Sequence, residues 1–408
     1  MQCRARSSRQ LARKSISNSL SAISVFYASL LLGLSPLTAG NVAAPKDPRH
    51  ARYFLYVGTY TKGESKGIYA YRYDASSGKA TSLGLATETV NPSFLTADPT
   101  HRFLYAVNEL TAYKGATTGA VSAFAIDHQT GKLSLLNEVA SRGADPCYIA
   151  FDKSGKYVLV ANYTSGNVAV FPAAKDGRLG ESSAFVQHSG KGVNPERQEG
   201  PHAHWIETTA DNRFAIVADL GLDEVLVYRF DARDGSLKPN DPSFVKVDPG
   251  SGPRHISFHP DGKFAYLLSE MKSTVTVFAY DASRGALHTL QTISTLPKDF
   301  TGTNDAAEIH VLPNGKFLYA SNRGNDSLAV FAIDQKTGLL KAVDHVSTEG
   351  KTPRNFEIDP TGSRLLVANQ DTGNIVVFNI DGRTGRLTPA GEVLSVPSPV
   401  SLDFVPED

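Results

Sequence analysis

In the stretch NPERQEGPHAHW, residues 194–205, two histidines stand one residue apart behind a charged loop bounded by proline and glycine. An imidazole titrates near neutral pH, so His202 and His204 are candidates for acid–base work, for metal ligation, or for polar residues that a strand happens to carry. A zinc site needs three or four converging His, Cys or carboxylate ligands, and calcium needs clustered oxygens. No second cluster of that kind accompanies the pair, so no resident metal is expected. No His-Glu-x-x-His, Walker loop or complete dinucleotide fingerprint is present either, which leaves no cofactor expected and no serine-hydrolase triad supported. Any chemistry must then come from side chains that the fold gathers from a distance.

The elements that would gather them recur. A proline opens a short alternating strand, an Asp-Pro or similar turn ends it, a Lys or Arg with an aromatic follows, and an apolar run closes on a polar residue. NPSFLTADPTHRFLYAVNE (91–109), DPCYIAFDKSGKYVLVANY (145–163), GPRHISFHPDGKFAYLLSE (252–270), AAEIHVLPNGKFLYASNR (306–323) and TPRNFEIDPTGSRLLVANQ (352–370) are instances, and GPHAHWIETTADNRFAIVADL (200–220) is the same unit with two extra residues. A third strand such as TVTVFAY and a weaker fourth follow each. Four short strands per unit, at a period of about 46 to 55 residues and without helical periodicity, predict an all-β fold, a seven-bladed β-propeller of four-stranded antiparallel blades. The first unit lacks its opening strand, and PSPVSLDFVPED at the C-terminus is that strand with nothing after it. Pairing the C-terminal strand with the N-terminal ones closes the ring and removes its free edges.

The first strand of a blade lines the central channel and the second runs back antiparallel, so the start of one and the end of the other share a mouth. Taking the residue after the opening proline and the residue 16 further on pairs Ser93 with Glu109, Cys147 with Tyr163, Arg254 with Glu270, Ala307 with Arg323 and Arg354 with Gln370. His202 takes the first position in its own blade. Cations, carboxylates and an imidazole facing one another suit an anionic small molecule with a polar reacting centre. His204 then lies one layer deeper and, with His255 and His310, reads as a buried, hydrogen-bonded histidine. Cys147 reads as small apolar filler and Trp205 as a buried residue.

Residues 1–50 differ from the rest. Arg4, Arg6, Arg9, Arg13 and Lys14 precede an apolar run at 21–34 and then small residues, the layout of a signal peptide ending near Gly40. Residues 1–40 are therefore expected to be an export signal, 41–52 a linker and 53–408 the propeller, with the product periplasmic or secreted and not inserted in the membrane after signal removal. Cys147 is then the one cysteine of the mature chain, so no internal disulfide forms. Lys plus Arg and Asp plus Glu both number 41, so no global positive field draws the chain to nucleic acid.

The phrases YVGTYT, NPSFLTADPTHRFLYAVNE, VNPERQEGPHAHW, GPRHISFHPDGKFAYLLSE, AEIHVLPNGKFLYASNR and TPRNFEIDPTG resemble, in order from about residue 53 to 405, the seven-bladed propeller lactonase family. That family includes propeller-type 6-phosphogluconolactonase and carboxy-cis,cis-muconate cyclase. The resemblance implies a lactone hydrolase whose catalytic residues are His202, Arg254 and Glu270, acting on a small-molecule lactone, anionic in keeping with the cationic ring. Glu270 or His202 would serve as base, the other as proton donor, and Arg254 would stabilise the oxyanion. Glu109, His204, Arg323, Arg354 and Gln370 are expected to bind substrate, the arginines by clamping a carboxylate or phosphate. LLSEM stands where the family more often has Asn-Glu-Leu, and the glutamate is kept. A cycloisomerase using the same groups and a non-enzymatic binding propeller are the alternative readings.

Overall fold

The computed structural model describes residues 51–407, so the expected signal at 1–40 and all but the end of the linker lie outside the described residues. Twenty-eight strands form seven four-stranded antiparallel sheets, and no helix occurs among the described residues. One sheet is composite. Its innermost strand, Pro399–Pro406, pairs from Tyr53↔Pro406 to Thr59↔Pro399 with Arg52–Thr59, which is followed outward by Gly67–Asp74 and Lys79–Glu88. The expected closure is therefore the observed one, and the first strand begins one residue before the expected domain start.

The repeated words of the sequence are repeated contacts. The turn between the inner and second strands carries an aspartate whose carboxylate caps the incoming backbone: Asp152 Oδ1 accepts from the amides of Lys156 and Tyr157 at 2.8 Å each, and Asp359 Oδ1 does the same for Ser363 and Arg364. The aromatic that follows packs on the outer turn of the next blade. At Gly338, φ is +71° and an added Cβ would stand 2.4 Å from the Phe264 ring, so both conformation and space require glycine there. Tyr266, two residues beyond Phe264, donates its hydroxyl to the Gly338 carbonyl at 3.0 Å, and Tyr105 and Tyr319 do so to Gly177 and Gly385. Such a bond contributes about 1 kcal/mol, and its repetition ties blade to blade where the core clusters meet.

Each inner strand also carries a β-bulge at the same place. Pairing jumps from Pro92 to Phe94, Pro146 to Tyr148, Ala203 to Trp205, Pro253 to His255 and Pro353 to Asn355. It jumps likewise from Ala306 to Ile309. A bulge leaves one residue out of the ladder and re-aims its side chain. Ser93, Cys147, His204, Arg254, Ala307 and Arg354 are thus turned together at one end of the channel.

Candidate active site

At that end lies a cavity of about 210 Å³ lined by Glu109, Cys147, Tyr163, Arg197, His204, Glu270, Asp305, Arg323 and Arg354. The second strands supply Glu109, Tyr163, Glu270 and Arg323 from just past their ends, and Asp305 comes from just before an inner strand. The bulges supply His204 and Arg354, with Arg254 lodged behind Glu270.

Glu270 is the hub. Its Oε2 accepts from Arg254 Nε at 2.9 Å and lies 2.8 Å from Arg323 Nη2, and its Oε1 accepts from Arg197 Nη2 at 2.6 Å. Burial raises its pKa, but Arg323, Arg254 and Arg197 together outweigh burial and hold it at about 2. A carboxylate so committed is a weak base, and its work is to hold guanidiniums in place. Arg254 is itself buried, and burial with Arg323 and Arg354 nearby brings its pKa down to about 10, still protonated at neutral pH. Its Nη1 donates to the Ala307 carbonyl and leans on His255 Nε2 at 3.4 Å, and its Nη2 makes no hydrogen bond among the described residues. Arg354 has no carboxylate partner among the described residues; its guanidinium stands 5.2 Å from the centroid of the Tyr60 ring. The Tyr60 hydroxyl donates to Glu109 at 2.9 to 3.0 Å.

His204 takes the place expected of His202, and His202 lies outside the channel lining. His204, not His202, is the bulged residue, at the position that Arg254 holds in the next blade. It is 4 % exposed and its Nδ1 has no hydrogen-bond partner among the described residues. Burial, then Arg254, His255 and Arg354, push its pKa well below the usual value, so the ring is neutral. His202 precedes the strand. Its amide donates to Asp219 Oδ1 at 2.8 Å, its Nδ1 to the Tyr163 carbonyl at 3.0 Å, and its ring stacks on Tyr163, which separates it from the cavity. Counting forward from the proline placed the two extra residues inside the strand; counting back from the turn aligns WIETTADNRF with HISFHPDGKF and puts them before it.

Other expectations are redistributed. Gln370 faces a neighbouring cavity shared with Tyr60, Asn91 and Glu109. Of the supposed structural histidines, only His255 is fully engaged, its Nδ1–H donating to Glu308 at 2.7 Å with the ring kept neutral by burial at a pKa of about 4. His310 is partly exposed at the opposite end of the channel. Cys147 is buried, and burial pushes its thiol up, so it stays protonated. Trp205 is buried. Arg197, on the loop before the third inner strand, escaped the repeat count because it occupies no repeat position; Tyr60 was missed because its blade is split between the two ends of the chain, although its amide donates to the Ser398 carbonyl just as that of Glu109 does to Asn91. The spelling Gly63-Glu64-Ser65-Lys66-Gly67 matches a nucleophile elbow, but it joins two strands and Ser65 is tied to Thr59 Oγ1 at 2.5 Å. Among the described residues, no three His, Cys, Asp or Glu side chains are grouped to hold a metal, and no helix is long and apolar enough to cross a membrane.

Known proteins share this plan. The chain is 40 % identical over 355 residues to the 6-phosphogluconolactonase of Bacillus subtilis, covering 87 % of this chain and 99 % of that one. With a protein of the same name from Formosa agariphila it shares 37 % over 311 residues, 75 % of this chain and 86 % of the other. The solved structure of a periplasmic gluconolactonase from Pseudomonas aeruginosa superposes with a TM-score of 0.81 at 38 % identity, covering 88 % of this chain and all of that one. Residues 54–404 match the family described as lactonase, 7-bladed beta-propeller. A ring of arginines around one carboxylate and an uncommitted imidazole is thus set in a scaffold shared along nearly its whole length with lactone-opening enzymes: this chain is a lactone hydrolase and belongs to the seven-bladed β-propeller lactonase family.

Proposed function

We propose that the chain opens a sugar or organic-acid lactone bearing a negative charge, with His204 as the proton-transfer group. The observation that carries this reading is the neutral, unpartnered His204 facing Arg323 and Arg354 across the cavity, with Arg254 beneath. His204 takes a proton from water as the oxygen attacks the lactone carbonyl, and Arg254 Nη2 donates to the oxyanion that forms. Collapse breaks the ring C–O bond, and the imidazolium, made acidic by Arg254 and Arg354, returns its proton to the departing alkoxide. The products are a hydroxyl and a carboxylic acid, which releases one proton at neutral pH. Glu270 fixes the arginines, and Arg354 on Tyr60 receives the substrate's carboxylate or phosphate.

The N-terminal layout supports export, and the related periplasmic gluconolactonase accords with it. A sugar lactone outside the cytoplasm is then a natural substrate, and cell fractionation tests the location.

Proton release at constant pH from residues 41–408, offered 6-phosphogluconolactone, gluconolactone and a muconolactone, tests the reaction. His204→Gln should lower kcat on the order of 10²–10⁴-fold and His202→Gln by less than about tenfold. The reverse order would return the role to His202. Because the neutral form of His204 is the base and its pKa is depressed, the acid limb of kcat/KM should lie below pH 6.5.

A further inference from the structure

The three guanidiniums on Glu270 are not held alike. Arg254 and Arg323 share its Oε2 and are tied down elsewhere, Arg254 to the Ala307 carbonyl and Arg323 to the carbonyls of Asp305 at 3.3 Å and Ala306 at 3.2 Å. Both are nearly buried. Arg197 alone holds Oε1, and its other contacts are long, 3.5 Å to the Tyr163 hydroxyl and 4.0 Å to Asp305. Its side chain is 37 % exposed against 3 % for Arg254.

The backbone beneath it is fixed. Gln198 is fully buried, donates its side-chain amide to the Leu220 carbonyl at 2.8 Å and accepts from the Asn194 amide at 3.1 Å, and Asn194 Oδ1 caps the amides of Glu196 and Arg197. A side chain with loose contacts on a rigid base can change partners without refolding the loop. Among the described residues it is the one arginine of this mouth delivered by a loop rather than by a blade strand or its end.

We propose that Arg197 is a specificity residue that leaves Glu270 Oε1 for the anionic group of an incoming lactone, so that Arg197 and Arg354 grip the anion and Oε1 is freed to orient the attacking water. This rests on the lactonase reading above. A guanidinium gives a carboxylate or phosphate paired donors, so the exchange replaces one charge-assisted bond by another and costs little. An uncharged lactone offers no such partner, Arg197 stays on Glu270, and Oε1 stays engaged. Charge on the substrate is then read in kcat as well as in KM.

The test compares kcat and KM of wild type, Arg197→Ala and Arg197→Lys on 6-phosphogluconolactone and on gluconolactone. Arg197→Ala should lower the ratio of kcat/KM between phosphorylated and uncharged lactone by roughly 30-fold, with kcat contributing, and Lys should restore part of it. An unchanged ratio, whether both substrates are lost equally or neither is affected, would overturn the proposal. Binding of 6-phosphogluconate by calorimetry needs no turnover and separates the two readings. If wild type opens no lactone yet binds the anion at least about tenfold more tightly than Arg197→Ala, the hydrolase reading falls and the anion site stands. If it opens lactones but Arg197→Ala binds the anion as tightly as wild type, the reverse holds.

Discussion

The two mouths of the channel are built from the same strands and carry opposite charge. At one, the bulged residues bring His204, Arg254 and Arg354. Three residues further along each inner strand, the other mouth receives Glu207, Ser257, His310, Glu357 and Asp403, around a cavity of about 650 Å³ with aromatic walls. Between them a packed layer closes the bore: the Phe94 and Tyr148 rings lie 4.3 Å apart, and Glu308 accepts from His255 and from Asn355 at 2.7 Å each. At the first mouth each carboxylate is met by a cation or a donor, and Glu270 is ionised well into acid. At the second, burial and the charge of Glu357 raise Asp403 to about 7, while on His310 the carboxylates of Glu357, Glu308 and Glu207 outweigh burial and raise its pKa. The larger cavity is therefore the less organised one for chemistry. On the proposed reading, size does not mark the reaction centre; the density of partnered charge around an uncommitted imidazole does.

Beside His204→Gln, Arg254→Met strikes hardest at this asymmetry and is expected to lower kcat on the order of 10²–10³-fold, because it removes the proposed oxyanion donor and half of the clamp on Glu270 Oε2. Glu357→Gln at the far mouth should change kcat by less than about threefold; a comparable loss there would mean that the two mouths share the reaction. Gln198→Ala leaves the Leu220 carbonyl and the Asn194 backbone N–H without their partner and should cost about 1–3 kcal/mol in chemical denaturation, with a rise in KM for charged lactones as Arg197 loses its base.

The mouths should also respond oppositely to pH. Glu270 has a folded pKa below its unfolded value near 4.5, so its stabilisation is present above that value and is lost as pH falls toward 2. Asp403 is raised from 3.8 to about 7, so its contribution favours the fold in acid and is lost as pH rises through 7. Asp403→Asn, which keeps an acceptor for the Ala97 amide, should therefore raise Tm more at pH 8 than at pH 5, by roughly 2 °C. An equal shift at both pH values would contradict the raised pKa. The smallest effect is expected of Gln370→Ala, less than about twofold in kcat/KM, since its amide reaches only Asp371 and the adjoining cavity.

The blade count, the closure by PSPVSLDFVPED and the gathering of Glu109, Arg254, Glu270, Arg323 and Arg354 at one mouth were legible in the sequence, because a repeat fixes each blade's local hydrogen bonding and a ring then repeats its geometry. What a repeat cannot carry is an insertion's side of the strand. Whether His202 or His204 enters the channel depended on where two extra residues sit, and pairing across Ala203↔Asp219 and Trp205↔Ala218 decided it. Arg197 lay further from reach: it belongs to a loop without periodicity, brought across 73 residues to Glu270 by a buried glutamine. Sequence alone determined the ring and the types of residue around it. Tertiary structure decided which imidazole is free and which arginine can move, because both depend on contacts between segments that no local pattern links.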